Sequence, residues 1–182
     1  MSHNKPLLSR EDCVLLVIDV QEKLMRVVSE KDKVAENVLR LVKFARIIGM
    51  PVIFTEQEKL GPTLPGILVE APGAQPVGKV SFDCLGEPAF KERLEVLGRG
   101  TLLLTGVEAH ICVAQTALMA LADYRVQVVS DAISSRSLHN WVIAVERLRL
   151  AGAVITSTEM AIYELLGRAG TEEFKATLPL VK

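Results

Sequence analysis

Two hydrophobic periods alternate along the chain. Cys13 to Val20 is almost continuously apolar, as for a strand buried on both faces. Val34, Val38, Leu41, Val42, Ala45 and Ile48 follow at helical spacing, and Gly49 stands where a C′ glycine would end that helix. Pro51 to Thr55 predicts a second strand, with proline at its tolerated first position. Glu87 to Leu97 predicts a helix opened by Pro88 and closed by Gly98. Thr101–Thr105, Val126–Ser130 and Ala153–Ile155 read as further strands. Ile111–Asp123 and Leu138–Leu150 read as the helices between them. Thr156 and Glu159 have capping-box spacing ahead of a short helix, Met160–Leu166. Strand and helix taking turns in this way predicts an α/β fold, a doubly wound, Rossmann-like parallel sheet with helices on both faces.

Between these elements, Glu56 to Val77 carries four prolines and three glycines and fits neither period. A loop of this length inside a compact domain is more often a lid or binding loop than a linker. Thr101–Thr105 is a candidate to open the second half of the sheet if one more strand lies near Val77–Val80.

Composition narrows the function. With 49% hydrophobic and 24% charged residues, the chain can bury a core, so disorder is excluded and one domain over 1–182 is expected. The 21 basic and 22 acidic residues leave a formal charge of −1 with no basic cluster, which argues against nucleic acid and anionic membranes as partners. Apolar runs such as Val14–Ile18 are strand-sized, well below the ~20 residues of a membrane span. Met1 to Asp12 is polar and offers no signal peptide, and Cys13, Cys84 and Cys112 are too few and odd in number for a disulfide framework. A reducing, cytoplasmic setting follows.

In an open parallel sheet, ligands bind beyond the carboxyl ends of the strands where the strand order reverses. With the common order, that point lies between Cys13–Val20 and Thr101–Thr105. Asp19 and Gln21 end the first strand; Gly106 to Cys112 follows the second. Asp19 at the end of an apolar run points into the crevice or caps the next turn. Cys112 opens an apolar helix, whose macrodipole favours a thiolate and draws the thiol below its usual pKa of about 8.5; as a bland alternative it is a small buried hydrophobe. Cys13 and Cys84 fit the bland role, Cys84 lying in a turn with no base nearby. Lys79, between Val77, Val80 and Phe82, either packs inward and needs an anionic partner or lies in solvent.

Two motifs mislead. Gly73 to Val80 matches GxxxxGK of the phosphate loop, but Val80 replaces the Ser or Thr, Pro76 removes an N–H, and no clean strand precedes it. His3, His110 and His139 are scattered and no C-x-x-C occurs, so no metal site and no cofactor is expected.

The segments Ile18-Asp19-Val20-Gln21, Lys79 with Ser81-Phe82, and Thr105-Gly106-Val107-Glu108-Ala109-His110-Ile111-Cys112-Val113 with Thr116-Ala117 resemble the isochorismatase-like cysteine hydrolases. The resemblance extends over nearly the whole chain through Asp131-Ala132, Ala151-Gly152 and Thr158-Glu159. Thr55-Glu56-Gln57 to Gly61-Pro62-Thr63 is most similar to the subgroup of isochorismatase-domain proteins without an assigned substrate. The resemblance implies a catalytic triad of Asp19, Lys79 and Cys112. It also implies a non-proline cis peptide at Val107–Glu108, turning a backbone N–H toward the reacting carbonyl. Nicotinamidases of this family carry an Asp and His metal site after the second strand, but Thr55-Glu56-Gln57-Glu58 contains no His. Enzymes that cleave isochorismate lack a nucleophilic cysteine at the matching position, so Cys112 implies acyl chemistry.

The expected reaction is hydrolysis of a small amide or related C–N acyl substrate through a Cys112 thioester. Gln21, Leu24, Phe82 and His110 are candidate pocket residues, with Trp141 nearby. The alternative class is a non-catalytic small-ligand binder or thiol redox sensor on the same fold. Ala117, Leu118, Met119, Leu121 and Ala122 put apolar surface on more than one helix face, and together with the family's habit this predicts a homo-oligomer.

Overall fold

The computed structural model describes residues 7–182; His3 and half of the polar N-terminal stretch lie outside the described residues. In chain order the elements are β1 (Cys13–Ile18), α1 (Glu22–Met25), α2 (Lys31–Ile48), β2 (Val52–Gln57), α3 (Pro65–Leu68), β3 (Val77–Lys79), α4 (Pro88–Leu97), β4 (Thr101–Val107), α5 (Ala114–Ala120), β5 (Arg125–Ser134), α6 (Leu138–Leu150), β6 (Val154–Thr156), α7 (Thr158–Leu166) and α8 (Glu172–Val181). A 3₁₀ turn, Cys84–Gly86, precedes α4, and a π-turn, Ala109–Val113, leads into α5.

The strands form one sheet in the order β3-β2-β1-β4-β5-β6, with every neighbouring pair parallel. β1 and β4 are central and buried along their full length, which is why both read as unbroken apolar runs. Their alternate residues feed two cores. Leu15 and Val17 pack with α2 residues such as Val38, Leu41 and Phe44, while Val14, Leu16 and Ile18 pack with Phe90, Leu94 and Ala117. Burying a Leu or Ile side chain contributes roughly 1.5–3 kcal/mol, so these two layers supply the dominant stabilisation.

Two local expectations are corrected. The N-cap of α7 is Ser157, whose side chain accepts from Met160 N–H; Thr156 is committed to β6 and cannot serve. Asp131 adds a second tie there, its Oδ1 accepting from Thr158 N at 2.8 Å and Thr158 Oγ1 at 2.9 Å. The segment after β2 is also not a free lid. It runs antiparallel to Gln21 at Thr63, and Leu64 N donates to Val20 O. Glu22 N donates to Pro62 O, and Glu56 Oε1 accepts from Thr63 N and Oγ1. Pro65 then starts α3, which buries Ile67. Backbone donors and acceptors in this stretch find partners within the chain, so it behaves as a strap fixed across the strand ends.

Candidate active site

The point where the strand order reverses lies between β1 and β4. Here Gly106 lets the two strands meet. Its φ is 112°, and a Cβ on it would stand 1.9 Å from Ile18 O. No other residue permits that approach. The residue after Ile18 is Asp19, which adopts the left-handed region at φ 52°. Such a conformation costs roughly 1 kcal/mol for a non-glycine residue and is best tolerated by Asp and Asn. It turns the chain sharply at the strand end, with Gln21 N donating back to Asp19 O at 2.7 Å.

Asp19 is fully buried, and so is the Lys79 side chain. Lys79 Nζ lies 2.7 Å from Asp19 Oδ2. Asp19 Oδ1 accepts from Thr55 Oγ1 at 2.8 Å. Oδ2 makes no hydrogen bond of good angle, so its contact with Lys79 is an ion pair that leaves a lone pair open. Lys79 Nζ also donates to Gln57 Oε1 at 2.7 Å, Ser81 O at 3.2 Å and Phe82 O at 3.4 Å. An ammonium has three protons, so these partners saturate it. Burial by itself would lower the Lys79 pKa; the charge of Asp19, together with the nearby thiols, outweighs burial and raises it.

Cys112 is 5% exposed and occupies the π-turn between β4 and α5. Its thiol faces the same pair. Burial first, then the charge of Asp19, push it up to about 12; Lys79 opposes this and is outweighed. The nearby Cys84 thiol adds to the rise. The expectation of a thiolate at a helix N-terminus is therefore corrected. In a dry site beside a carboxylate, desolvation and like charge both favour the protonated thiol.

The Val107–Glu108 peptide bond is cis. Glu108 O accepts from Ile111 N and Val113 N, which shapes the π-turn around Cys112. The Glu108 carboxylate is buried and reaches Arg136, accepting from its N at 2.8 Å and pairing with its Nε at 3.1 Å. His110 Nδ1 meets Ser135 Oγ at 2.9 Å. Both contacts pin the chain beyond β5 against the π-turn.

The candidate pocket residues divide. Gln21 is fully buried and its amide is spent on the strap: Nε2 donates to Gln57 O at 3.0 Å and Gly61 O at 2.5 Å, and Oε1 accepts from Gln57 N at 2.8 Å. It holds the site's wall and has nothing left for a ligand. Leu24 packs against the α2 core. Phe82 is 52% exposed beside the carbonyl that meets Lys79. Trp141 lines a cavity of about 180 Å³ with Leu138 and Ile133, and Cys112 is not among its lining residues. A cleft of about 760 Å³ between Leu7–Glu11 and the Leu165–Thr171 region is lined by none of Asp19, Lys79 and Cys112. Among the described residues, no three His, Cys, Asp or Glu side chains converge as a metal site.

Sequence reasoning missed Gln57 as a partner of Lys79, Thr55 as a partner of Asp19, and Cys84. Cys84 is not remote from charge. Its backbone N–H donates to buried Thr116 Oγ1 at 3.0 Å, and its sulfur lies 4.0 Å from Thr55 Oγ1. Burial, with Asp19 nearby, pushes this thiol up to about 12 as well. The run Thr55-Glu56-Gln57 was visible as a family likeness, but its link to Lys79 crosses a strand pair and leaves no local signal.

Residues 13–160 match the isochorismatase domain family. This chain belongs to the isochorismatase family. It is 36% identical over 189 residues to isochorismatase domain-containing protein 2 of Bos taurus, covering 100% of this chain and 90% of that protein. The fold is similar to that of MAR1 ribonuclease from Caenorhabditis elegans, with a TM-score of 0.90 at 31% identity over 96% of this chain and 92% of that one. It is also similar to the Escherichia coli YcaC gene product, described as an octameric hydrolase of unknown specificity, with a TM-score of 0.90 at 26% identity over 98% of this chain and 91% of that one. Family membership supports a hydrolase-type function. Among the described residues, no helix is long and apolar enough to cross a membrane.

Proposed function

We propose that the chain is one cysteine hydrolase domain that cleaves a small amide or related C–N acyl bond. The observation that carries this is the buried Asp19–Lys79 pair at 2.7 Å, close enough to the Cys112 thiol for both charges to act on it. Asp19 Oδ2 takes the thiol proton as sulfur bonds to the carbonyl carbon. The carbonyl electrons move to oxygen, which the N–H groups of Cys112 and the Val107–Glu108 region receive; one such donor contributes about 3 kcal/mol. As the C–N bond breaks, Asp19 returns its proton to the leaving nitrogen. Water then attacks the thioester, giving a proton to Asp19, and the thiol leaves with that proton. Lys79 has no free proton to donate and acts through its charge beside Asp19. Deprotonation coupled to attack suits a thiol pushed up to about 12. The same property leaves little thiolate for peroxide, which weighs against redox sensing.

A chain with a formal charge of −1 favours a small-molecule substrate over the RNA that the MAR1 name suggests. Exposed Met119 on α5 and Leu138 and Val142 on α6, together with the octameric YcaC relative, support a homo-oligomer. A cytoplasmic setting remains the one that three free thiols favour.

The test is an amide panel with intact-mass detection of an acyl adduct. The wild type acquires the adduct on Cys112, and Cys112→Ser loses at least about 10³-fold in rate. Full hydrolysis by Cys112→Ser would overturn the covalent mechanism.

A further inference from the structure

We propose that Gln57 is a positioning residue that sets the charge balance around Cys112 by offering Lys79 a neutral acceptor. The catalytic meaning of this rests on the hydrolase reading; the effect on the thiol does not. Gln57 ends β2 and pairs in register with Lys79 on β3. Its side-chain orientation is determined on both sides: Oε1 accepts from Lys79 Nζ at 2.7 Å and Nε2 donates to Val80 O at 2.7 Å. Its backbone is held separately, N to Gln21 Oε1 at 2.8 Å and O to Gln21 Nε2 at 3.0 Å. Changing the side chain therefore leaves the strap's attachment intact.

Of the three acceptors of the Lys79 ammonium, Ser81 O and Phe82 O are backbone carbonyls and Gln57 Oε1 is the one from a side chain. A second carboxylate at position 57 would satisfy the ammonium equally well in geometry but would place two negative charges against one positive. The thiol would then lose its proton into a site already carrying net negative charge. A glutamine supplies the acceptor without the charge. The other titratable groups that interact with Lys79 are Cys84 and, from the segment after β3, Asp83 and Glu87. Two more carboxylates already act on Lys79, so neutrality at 57 matters to the thiol and to Asp19 alike.

Iodoacetamide alkylation of Cys112, followed by peptide mass spectrometry from pH 6 to 10, reads this directly in the full chain. Gln57→Glu is expected to slow alkylation about tenfold at each pH, an upward shift of about one unit. Gln57→Met removes the negative end of the amide dipole from Lys79 and keeps the charge unchanged; alkylation should run about two- to threefold faster. Opposite signs are the signature, since a merely structural disturbance would move both variants the same way. If Gln57→Glu does not fold, Gln57→Met decides: unchanged or slower alkylation overturns the proposal. Lys79→Met, which should slow alkylation, verifies that the assay senses charge at this position. If Cys112→Ser hydrolyses amides normally, the covalent cysteine mechanism fails while the Gln57 comparison still stands. If Cys112→Ser is inactive and neither Gln57 variant shifts the profile, the role of Gln57 alone is refuted.

Discussion

Replacing Lys79 with methionine probes the centre of the site. The Asp19 and Lys79 side chains are both fully buried and 2.7 Å apart. At an effective dielectric of about 20, two charges at that distance attract by roughly 6 kcal/mol, before the cost of taking them out of water is subtracted. Lys79→Met fills much the same volume but leaves the Asp19 carboxylate buried without a counter-ion. Removing one partner of such a pair destabilises by about 3–5 kcal/mol. For a domain of this size that corresponds to a fall in melting temperature of about 10 °C. The double variant Asp19→Asn/Lys79→Met removes both charges, keeps an acceptor for Thr55, and retains a residue type that tolerates the left-handed backbone of position 19. It should recover more than half of the loss, a coupling of at least about 2 kcal/mol. The pH dependence follows from the raised pKa of Lys79. Its stabilising contribution is fully present below the ordinary lysine value of 10.5 and disappears as pH climbs through the higher folded value. The wild type should thus lose its advantage over the double variant in strongly alkaline buffer. Thermal melts by circular dichroism from pH 7 to 11 supply the measurement. A Lys79→Met protein melting within 2–3 °C of wild type, with no recovery in the double variant, would refute a coupled buried pair (about 1 kcal/mol at most).

Gly106→Ala should destabilise by at least about 3 kcal/mol, because its Cβ would lie 1.9 Å from Ile18 O and β1 and β4 would have to part; Gly49→Ala, with a left-handed φ of 67° but open space around it, should cost about 1 kcal/mol. Urea titration of both variants checks this, and equal losses would mean that the close approach is not what Gly106 supports. Alkylation of resting Cys112 should keep rising about tenfold per pH unit through pH 10, given a thiol pushed up to about 12, while fully buried Cys13 and Cys84 stay unreactive until the chain unfolds. A rate plateau for Cys112 below pH 8 would contradict the protonated resting state.

The central strands were legible because burial on both faces leaves a run of apolar residues with no competing interpretation. Cys13–Ile18 and Thr101–Val107 are such runs, and both lie in the middle of the sheet. The helix Lys31–Ile48 was equally legible, since its buried positions Val34, Val38, Leu41, Val42 and Ala45 repeat at the helical period and Gly49 closes it in the left-handed region. Periodicity of this kind is local, and neighbouring residues carry it whole. β3 was harder. It has three residues, and its strand character comes from pairing with Thr55, Glu56 and Gln57 rather than from its own pattern. The segment from 58 to 64 looked unstructured because its order comes from hydrogen bonds to Gln21, Glu22 and Lys23, more than 35 residues away.

By itself the sequence determined an α/β parallel sheet, and through its motifs the family and the likeness that singles out Asp19, Lys79 and Cys112; the order that sets β1 beside β4 came from the fold. The tertiary structure alone decided how those groups stand to one another. The distance of 2.7 Å between Asp19 and Lys79, the saturation of Lys79 by Gln57, Ser81 and Phe82, and the protonated state of Cys112 all depend on which side chains are buried together. A helix N-terminus read in isolation favours a thiolate; a dry crevice with a carboxylate beside the sulfur does the opposite. Ionisation responds to dielectric and to charge through space, and neither is written in the spacing of residues along the chain.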